Sequence, residues 1–315
     1  MGNIDTSSKA YMSRNKYFAD AYNYFAYDGE QIVLPENLTE IDTTQIGIVK
    51  NGDNAKMIQK WRDVLKSCVI MHDDKRIYVI MGVENEGKVH YAMPVRNMLY
   101  DALEYSDQIA VIAKQHEEKK DLKGDEYVSR FGKNDRILPV VTLVIYFGTK
   151  EWDGPRSLKE MFEDTDEQIL QFVSDYKMNL IVPKEIEDFS KFSTDLGKAL
   201  KYISVADQKD QLKAIAQKEE YQNVDQDTAI LLKEVTGMNI KIETEEDNVN
   251  MCQAVIDLLE EGREEGKEEG LEEGKVIGFI SALKDVGFPE DIIKEKVLNK
   301  YKISEAEIQK YYEKA

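Results

Sequence analysis

The sequence predicts a mixed α/β protein with a helical C-terminal part. Three observations support this. β-Branched and apolar runs bounded by polar turns are confined to the chain before about residue 185, a long stretch at helical spacing separates two of them, and a Gly/Glu repeat with short amphipathic segments follows. In chain order, "KYFADAYNYFAYD" sets Phe18, Tyr22 and Phe25 at helical spacing. "RDVLKSCVIM", "RIYVIMGV" and "RILPVVTLVIYFG" read as strands, and "MNLIVP" as a shorter one before Pro183. Between them, "AMPVRNMLYDALEYSDQIAVIAKQHEEKK" reads as a helix with Pro94 in its first turn and a narrow stripe of Leu99, Leu103, Ser106, Ala110 and Ala113. The expected organisation is an α/β domain over 1–200, a helical extension over 201–255 and Gly/Glu-rich and C-terminal helices over 256–315.

The repeat "EEGREEGKEEGLEEGK" spaces Gly262, Gly266, Gly270 and Gly274 four apart. Opposite charges at i,i+3 (Glu260 to Arg263, Glu264 to Lys267, Glu272 to Lys275) support a helix by a few tenths of a kcal/mol per pair, while each interior glycine costs about 1 kcal/mol relative to alanine. The repeat reads as a solvated helical spacer, or as a small-residue stripe through which two copies form a homodimer. "ISEAEI" near the end carries a helix start signal.

Composition restricts the function classes. A charged fraction of 33% and a formal net charge of -19 make the molecule as a whole repel polyanions and anionic membrane, so contact with DNA must be local. Cys68 and Cys252 are far apart and there are three histidines, which argues against a zinc site or a disulfide framework and points to a reducing, cytoplasmic setting. No apolar run reaches about 18 residues, so no membrane partner is expected. "MGNIDTS" matches the loose N-myristoylation pattern through Gly2, one that chance supplies often.

The candidate chemistry lies where the second apolar run ends in "VENEGK". The runs on either side of "HDDK" read as a β-hairpin turning at Asp73 and Asp74, which pairs His72 with Lys75, Ile70 with Ile77 and, at the open end, Asp63 with Glu84. Residues opposite each other on antiparallel strands project from one face with Cβ atoms about 5 Å apart, so two carboxylates converge and alternation adds Glu86. Such a pair suits Mg2+, or Mn2+, which takes oxygen ligands and keeps water for substrate phosphate. The competing reading is a pair of solvated strand-end charges.

An aspartate, a hairpin, then Glu-x-(Lys or Gln) before a helix resembles the core of PD-(D/E)XK nucleases. "RDVLKS", "MGVENEGKVHYAMPVRNMLYDALEY" and "LPVVTLVIYFGTKEWDGPRSL" resemble the Rpn-type recombination-promoting nucleases, also described as YhgA-like transposases, over roughly residues 15–200. The resemblance implies a restriction-endonuclease-like mixed sheet flanked by helices, with an α-helical C-terminal extension, and a metal-dependent DNA endonuclease of recombination or mobile-element biology. It implies Asp63 and Glu84 as metal ligands. The third position, usually Gln or Lys, is Glu86 here; a register shifted by two would instead use Lys88. A carboxylate at that position repels phosphate unless a metal or proton neutralises it, so a catalytically decayed nuclease fold acting as a scaffold is the alternative.

Other residues complete the expected site. Asp20 matches an auxiliary acidic position, or is a surface aspartate. Arg96, in the first turn of the following helix, is placed to hold a DNA phosphate, or to make an ordinary salt bridge. Lys56, Lys60, Arg62 and Lys66 form the densest local basic set, suited to a DNA backbone. Tyr146 and Trp152 read as core and turn packing, and His72 is assigned no chemistry.

Overall fold

The β-branched runs become strands because each buries at least one face. The computed structural model describes residues 3–41, 44–51, 54–61, 63–72, 75–163, 166–237, 248–251, 270–271, 273–301 and 303–315. Its strands are β1 (Leu38–Glu40), β2 (Thr44–Asn51), β3 (Asn54–Trp61), β4 (Val64–His72), β5 (Lys75–Glu86), β6 (Val140–Tyr146), β7 (Asn179–Ile181), β8 (Val224–Asp225) and β9 (Asn248–Val249). A five-stranded sheet runs in the order β1-β4-β5-β6-β7. The β1, β4 and β5 neighbours are antiparallel, and β5, β6 and β7 are parallel, so the sheet is mixed.

The expected hairpin register holds through the ladder. His72 pairs with Lys75, Ile70 with Ile77 and Val64 with Val83, while Asp73 and Asp74 lie outside the described residues. A second hairpin, β2 with β3, pairs Asn51 with Asn54. The sequence reading passed over it, although Gly52-Asp53 between two candidate strands is a recognised two-residue hairpin loop.

The helices of the first compact unit, Met1–Cys252, are α1 (Asn3–Met12), α2 (Asn15–Tyr27), α3 (Met93–Lys119), α4 (Gly124–Ser129), α5 (Glu167–Leu170), α6 (Asp195–Ser204), α7 (Lys209–Ala216) and α8 (Gln226–Thr236). α3 is the crossover that returns the chain from β5 to the parallel β6. On α2, Phe18 and Tyr22 are buried while Phe25 is exposed. The Tyr22 hydroxyl lies 2.7 Å from Gly82 O and 2.8 Å from Val141 O, fixing α2 to β5 and β6. α8 is tied back to the first two helices: Tyr11 Oη is 2.8 Å from Thr228 Oγ1, and Tyr17 Oη donates to Asp225 Oδ1 at 2.6 Å.

On α3 the buried residues are Met93, Pro94, Asn97, Tyr100 and Glu104, not the expected stripe; Ser106 and Ala110 are exposed. The helix is rotated so that polar residues face the sheet. Met93 packs with Val144, Tyr146, Trp152 and Val182, and the Tyr146 and Trp152 rings meet edge to face at 5.4 Å, as the packing reading expects.

The second unit, Gln253–Ala315, contains α9 (273–285), α10 (Glu290–Tyr301) and α11 (Glu305–Lys314). Its core is Val276, Ile280, Ile293, Val297 and Ile308. The start signal in "ISEAEI" is realised as a capping box between Ser304 and Glu307. Of the glycine repeat, Gly262 and Gly266, with Glu260, Arg263, Glu264, Lys267 and Glu272, lie outside the described residues. At Gly270 and Gly274 an added Cβ would meet open space. Among the described residues no helix is long and apolar enough to cross a membrane.

Candidate functional site

β5 carries its apolar run to the sheet centre and then presents "VENE" at its C-terminal end, beside β6: Glu84 lies across from Val144 and Glu86 from Tyr146. Asp63 occupies a bend one residue before β4 begins, just beyond the last ladder pair, Val64 with Val83. The two residues interlock. The Asp63 backbone N–H donates to Glu84 Oε1 at 3.3 Å, and the Asn85 N–H donates to Asp63 Oδ2 at 2.9 Å. Each side chain thus engages the other strand where the backbone ladder has stopped.

α3 begins seven residues after β5 and brings Arg96 over the strand end. Its guanidinium forks two glutamates, with Nη2 3.0 Å from Glu84 Oε2 and Nη1 2.9 Å from Glu86 Oε1. Nε donates to Tyr100 Oη at 3.1 Å. The Glu84 side chain is fully buried, that of Glu86 is 13% exposed and that of Arg96 28%. Arg96 therefore neutralises charge in the site itself, and that ion pair, not a phosphate, is what its side chain makes here.

A helix remote in sequence closes the cluster. An added Cβ at Gly87 would come within 2.7 Å of Ile4 Cγ2 and 3.2 Å of Asp5 Oδ1, so only glycine lets α1 approach the end of β5. From α1, Asp5 and Lys9 act on the site electrostatically. Burial raises the Asp63 carboxyl above its ordinary range, opposed by the Asn85 N–H and by the charges of Lys9 and Arg96. Burial also pushes Glu86 up, to about 7; Arg96 opposes this, and the charges of Asp63 and Asp5 add to it. Burial disfavours the charge of Arg96, but Glu84, Tyr100 and Glu86 together outweigh it and the guanidinium is held firmly protonated.

The structure thus brings Asp63, Glu84, Glu86 and Arg96 together and separates other expected members. Lys88 is exposed in a bend beyond the last residue of β5, where strand alternation no longer fixes its face. Asp20 is neither a surface residue nor open to the site: it is 1% exposed, and its oxygens accept from Ser193 N, Ser193 Oγ, Thr194 N and Thr194 Oγ1 at 2.5–3.0 Å. It anchors the turn that starts α6. Lys66 is fully buried, donating to Ser13 O at 2.7 Å and Asn15 Oδ1 at 2.5 Å, which removes it from any DNA-facing basic set. Burial lowers its amine. The side chains of Lys56, Lys60 and His72, and all of Arg62, lie outside the described residues.

Sequence reasoning missed Asp5, Lys9 and Tyr100. Tyr100 lies one turn after Arg96 and was readable from i,i+4 spacing; nothing local connects α1 to β5.

The donors gathered here are carboxylate oxygens with no nitrogen or sulfur among them, the set a hard cation takes. Among the described residues no three His, Cys, Asp or Glu side chains form a ready-made metal cage. Magnesium commonly binds through one or two carboxylates and completes its shell with water and phosphate. No protein-family model, curated protein or solved structure matches this chain.

Proposed function

We propose that this protein is a metal-dependent DNA endonuclease with a restriction-endonuclease-like core of the Rpn type, in which Asp63 and Glu84 hold Mg2+ or Mn2+. The observation that carries the reading is the interlocked Asp63–Glu84 pair at the end of a central strand, under the first turn of a crossover helix. The mixed order β1-β4-β5-β6-β7, antiparallel then parallel, is compatible with such a core. A bound cation would polarise the scissile phosphate and lower the pKa of an attacking water. Water adds to phosphorus, one P–O ester bond breaks, and the released proton needs an acceptor. Glu86, with its carboxyl at about 7, is the group placed to take it.

For these residues to act, Arg96 must release Glu84. Its guanidinium then becomes available to the phosphate, as Arg suits bidentate phosphate contact. The position that the family fills with Gln or Lys is served by a proton acceptor from β5 and a cation from α3.

Arg96 also gives weight to a second reading. A guanidinium that already satisfies Glu84 and Glu86 is what a decayed nuclease, retained as a scaffold, would use to stabilise former ligands. Plasmid nicking by the purified full-length protein separates the two. The expected result is cleavage with Mg2+ or Mn2+, none with chelator, and at least about 100-fold loss in Asp63→Ala with the fold intact by circular dichroism. Wild type inert under both metals, with metal-independent binding of DNA or protein, establishes the scaffold.

A further inference from the structure

α3 extends from the carboxylate site at Arg96 to a C-terminal cap formed by the chain around α4. Over 114–136 seven exposed cations gather: Lys114, Lys119, Lys120, Lys123, Arg130, Lys133 and Arg136. None is in an ion pair among the described residues. The acids that could neutralise them are partly committed elsewhere. His116 Nδ1 lies 2.7 Å from Asp121 Oδ1 and Nε2 2.8 Å from Asp135 Oδ2, so both ring nitrogens face carboxylates, which raise the pKa of the ring. Glu126 Oε1 accepts the Lys133 N–H at 2.8 Å. Glu117, Glu118 and Asp125 remain. In a chain of net charge -19 this is a local cationic surface.

The surface has a shape as well as a charge. Lys120, Arg130, His116 and Tyr127 line one cavity of about 520 Å3, with Ala113 and Leu122 at its walls and Glu117 the one carboxylate among its lining residues. The Tyr127 side chain is 72% exposed and that of Val128 82%. An aromatic ring among unpaired cations can stack a base while the cations hold phosphates. Along α3 between Arg96 and Lys114, Asp107 is the only exposed carboxylate: Glu104 is buried, and Asp101 accepts from Thr142 Oγ1 at 2.5 Å and Tyr176 Oη at 2.6 Å. A polyanion lying along the helix therefore meets little opposing charge.

We infer that the 114–136 cap is a nucleic-acid backbone grip, and that α3 sets its distance from the cleavage site. The identity of the occupant as DNA rests on the function proposed above; the position of the grip rests on the unpaired cations and the cavity. From Arg96 to Lys119 the helix rises about 35 Å at 1.5 Å per residue, which about ten base pairs span at 3.4 Å per step. Lys56, Lys60 and Arg62, which with the buried Lys66 made up the basic set expected from sequence, are not needed for this contact.

The test measures binding of full-length protein, in chelator, to fluorescent duplexes of about 8 and about 20 base pairs across a salt series. Wild type should bind the longer duplex at least about 10-fold tighter than the shorter. The exposed-residue variant Lys119→Gln/Lys120→Gln/Arg130→Gln should lose that advantage, and the slope of log K against log salt should fall by about 3, one for each phosphate contact removed. Tyr127→Ala should weaken binding to a single-stranded oligonucleotide, where bases are free to stack. An unchanged slope and length dependence in the triple variant overturns the grip. So does wild type that binds phosphatidylserine vesicles and neither duplex. Plasmid nicking assayed in parallel separates the failures: a triple variant that binds like wild type while wild type still cuts refutes the grip alone, whereas wild type that binds the long duplex through this surface and never cuts refutes the nuclease reading alone.

Discussion

Arg96 and His116 lie on the same helix, each between two carboxylates, and the acids around them respond in opposite directions. Beside Arg96, Glu86 is pushed up to about 7 although it touches a guanidinium, because burial outweighs the ion pair. Beside His116, Asp121 is lowered by its hydrogen bond from the ring, and Asp135 by the Gly132 N–H and then by the ring. The cations do not explain the difference. Glu84 is fully buried and Glu86 nearly so, whereas Asp121 is 45% exposed and Asp135 22%. The same kind of cluster is strained at one end of α3 and comfortable at the other, and strained ionisable groups concentrate where chemistry is done.

If that contrast is real, deleting the cation should be costly at one end only. Arg96→Leu leaves Glu84 charged and buried, and should destabilise the protein by about 3 kcal/mol in urea unfolding. This is the lower end of the range for an orphaned buried charge, because Arg96 itself keeps some contact with water. The double variant Arg96→Leu/Glu84→Leu should recover most of the loss, since it leaves only Glu86 without its cation, and that carboxyl is partly exposed and already pushed up to about 7. A double variant as unstable as the single one would mean that Arg96 supports the fold through packing, and the electrostatic distinction between the two clusters would fall.

These two clusters were not equally readable. Asp63 and Glu84 could be placed together because a hairpin register propagates arithmetically, and the observed ladder from His72–Lys75 to Val64–Val83 keeps that register. Arg96 could be placed near them because the helix follows the strand directly. What it contacts could not: phosphate and carboxylate are both partners for a guanidinium, and the fork over Glu84 and Glu86 depends on the rotation of α3, which the apolar stripe misassigned. Asp20 and Lys66 failed for a related reason. Charged residue types suggest the surface, yet each finds enough partners from distant segments to be buried. The approach of α1 through Gly87 is tertiary, and no local pattern announces it. The sheet was legible because apolar runs mark strands; the electrostatics were not, because they depend on which helices cover the strand ends.

The raised carboxyl of Glu86 gives the next test. Its folded value lies above the ordinary value of 4.5, so its contribution to stability is fully present below pH 4.5 and is lost as pH rises through about 7. Glu86→Gln should flatten the stability profile between those limits and leave the acidic side unchanged. An amide cannot accept the proton released at phosphorus, so plasmid nicking by Glu86→Gln should fall at least about 100-fold if Glu86 is the acceptor. A variant whose stability still falls across that window would show that another group is responsible.

The smallest effect belongs to His116. Its pKa is raised by hydrogen bonds to Asp121 and then Asp135, so the charged clasp is complete below the ordinary value of 6.5 and is lost as pH rises through the raised one. With its acids exposed, breaking the clasp should leave the global unfolding midpoint unmoved, in contrast to Arg96→Leu. The loss should be local. Asp135 Oδ2 also accepts the Gly132 N–H at 2.6 Å, and a ring that stops donating frees Asp135 to leave that turn. His116→Gln, which can satisfy one acid but not both, should therefore lower the hydrogen-exchange protection of Gly132 at neutral pH, and the wild-type protein should show the same loss only at more alkaline pH. Equal protection in both proteins across that range would mean that the turn holds itself, and that His116 contributes charge to the cap without organising it.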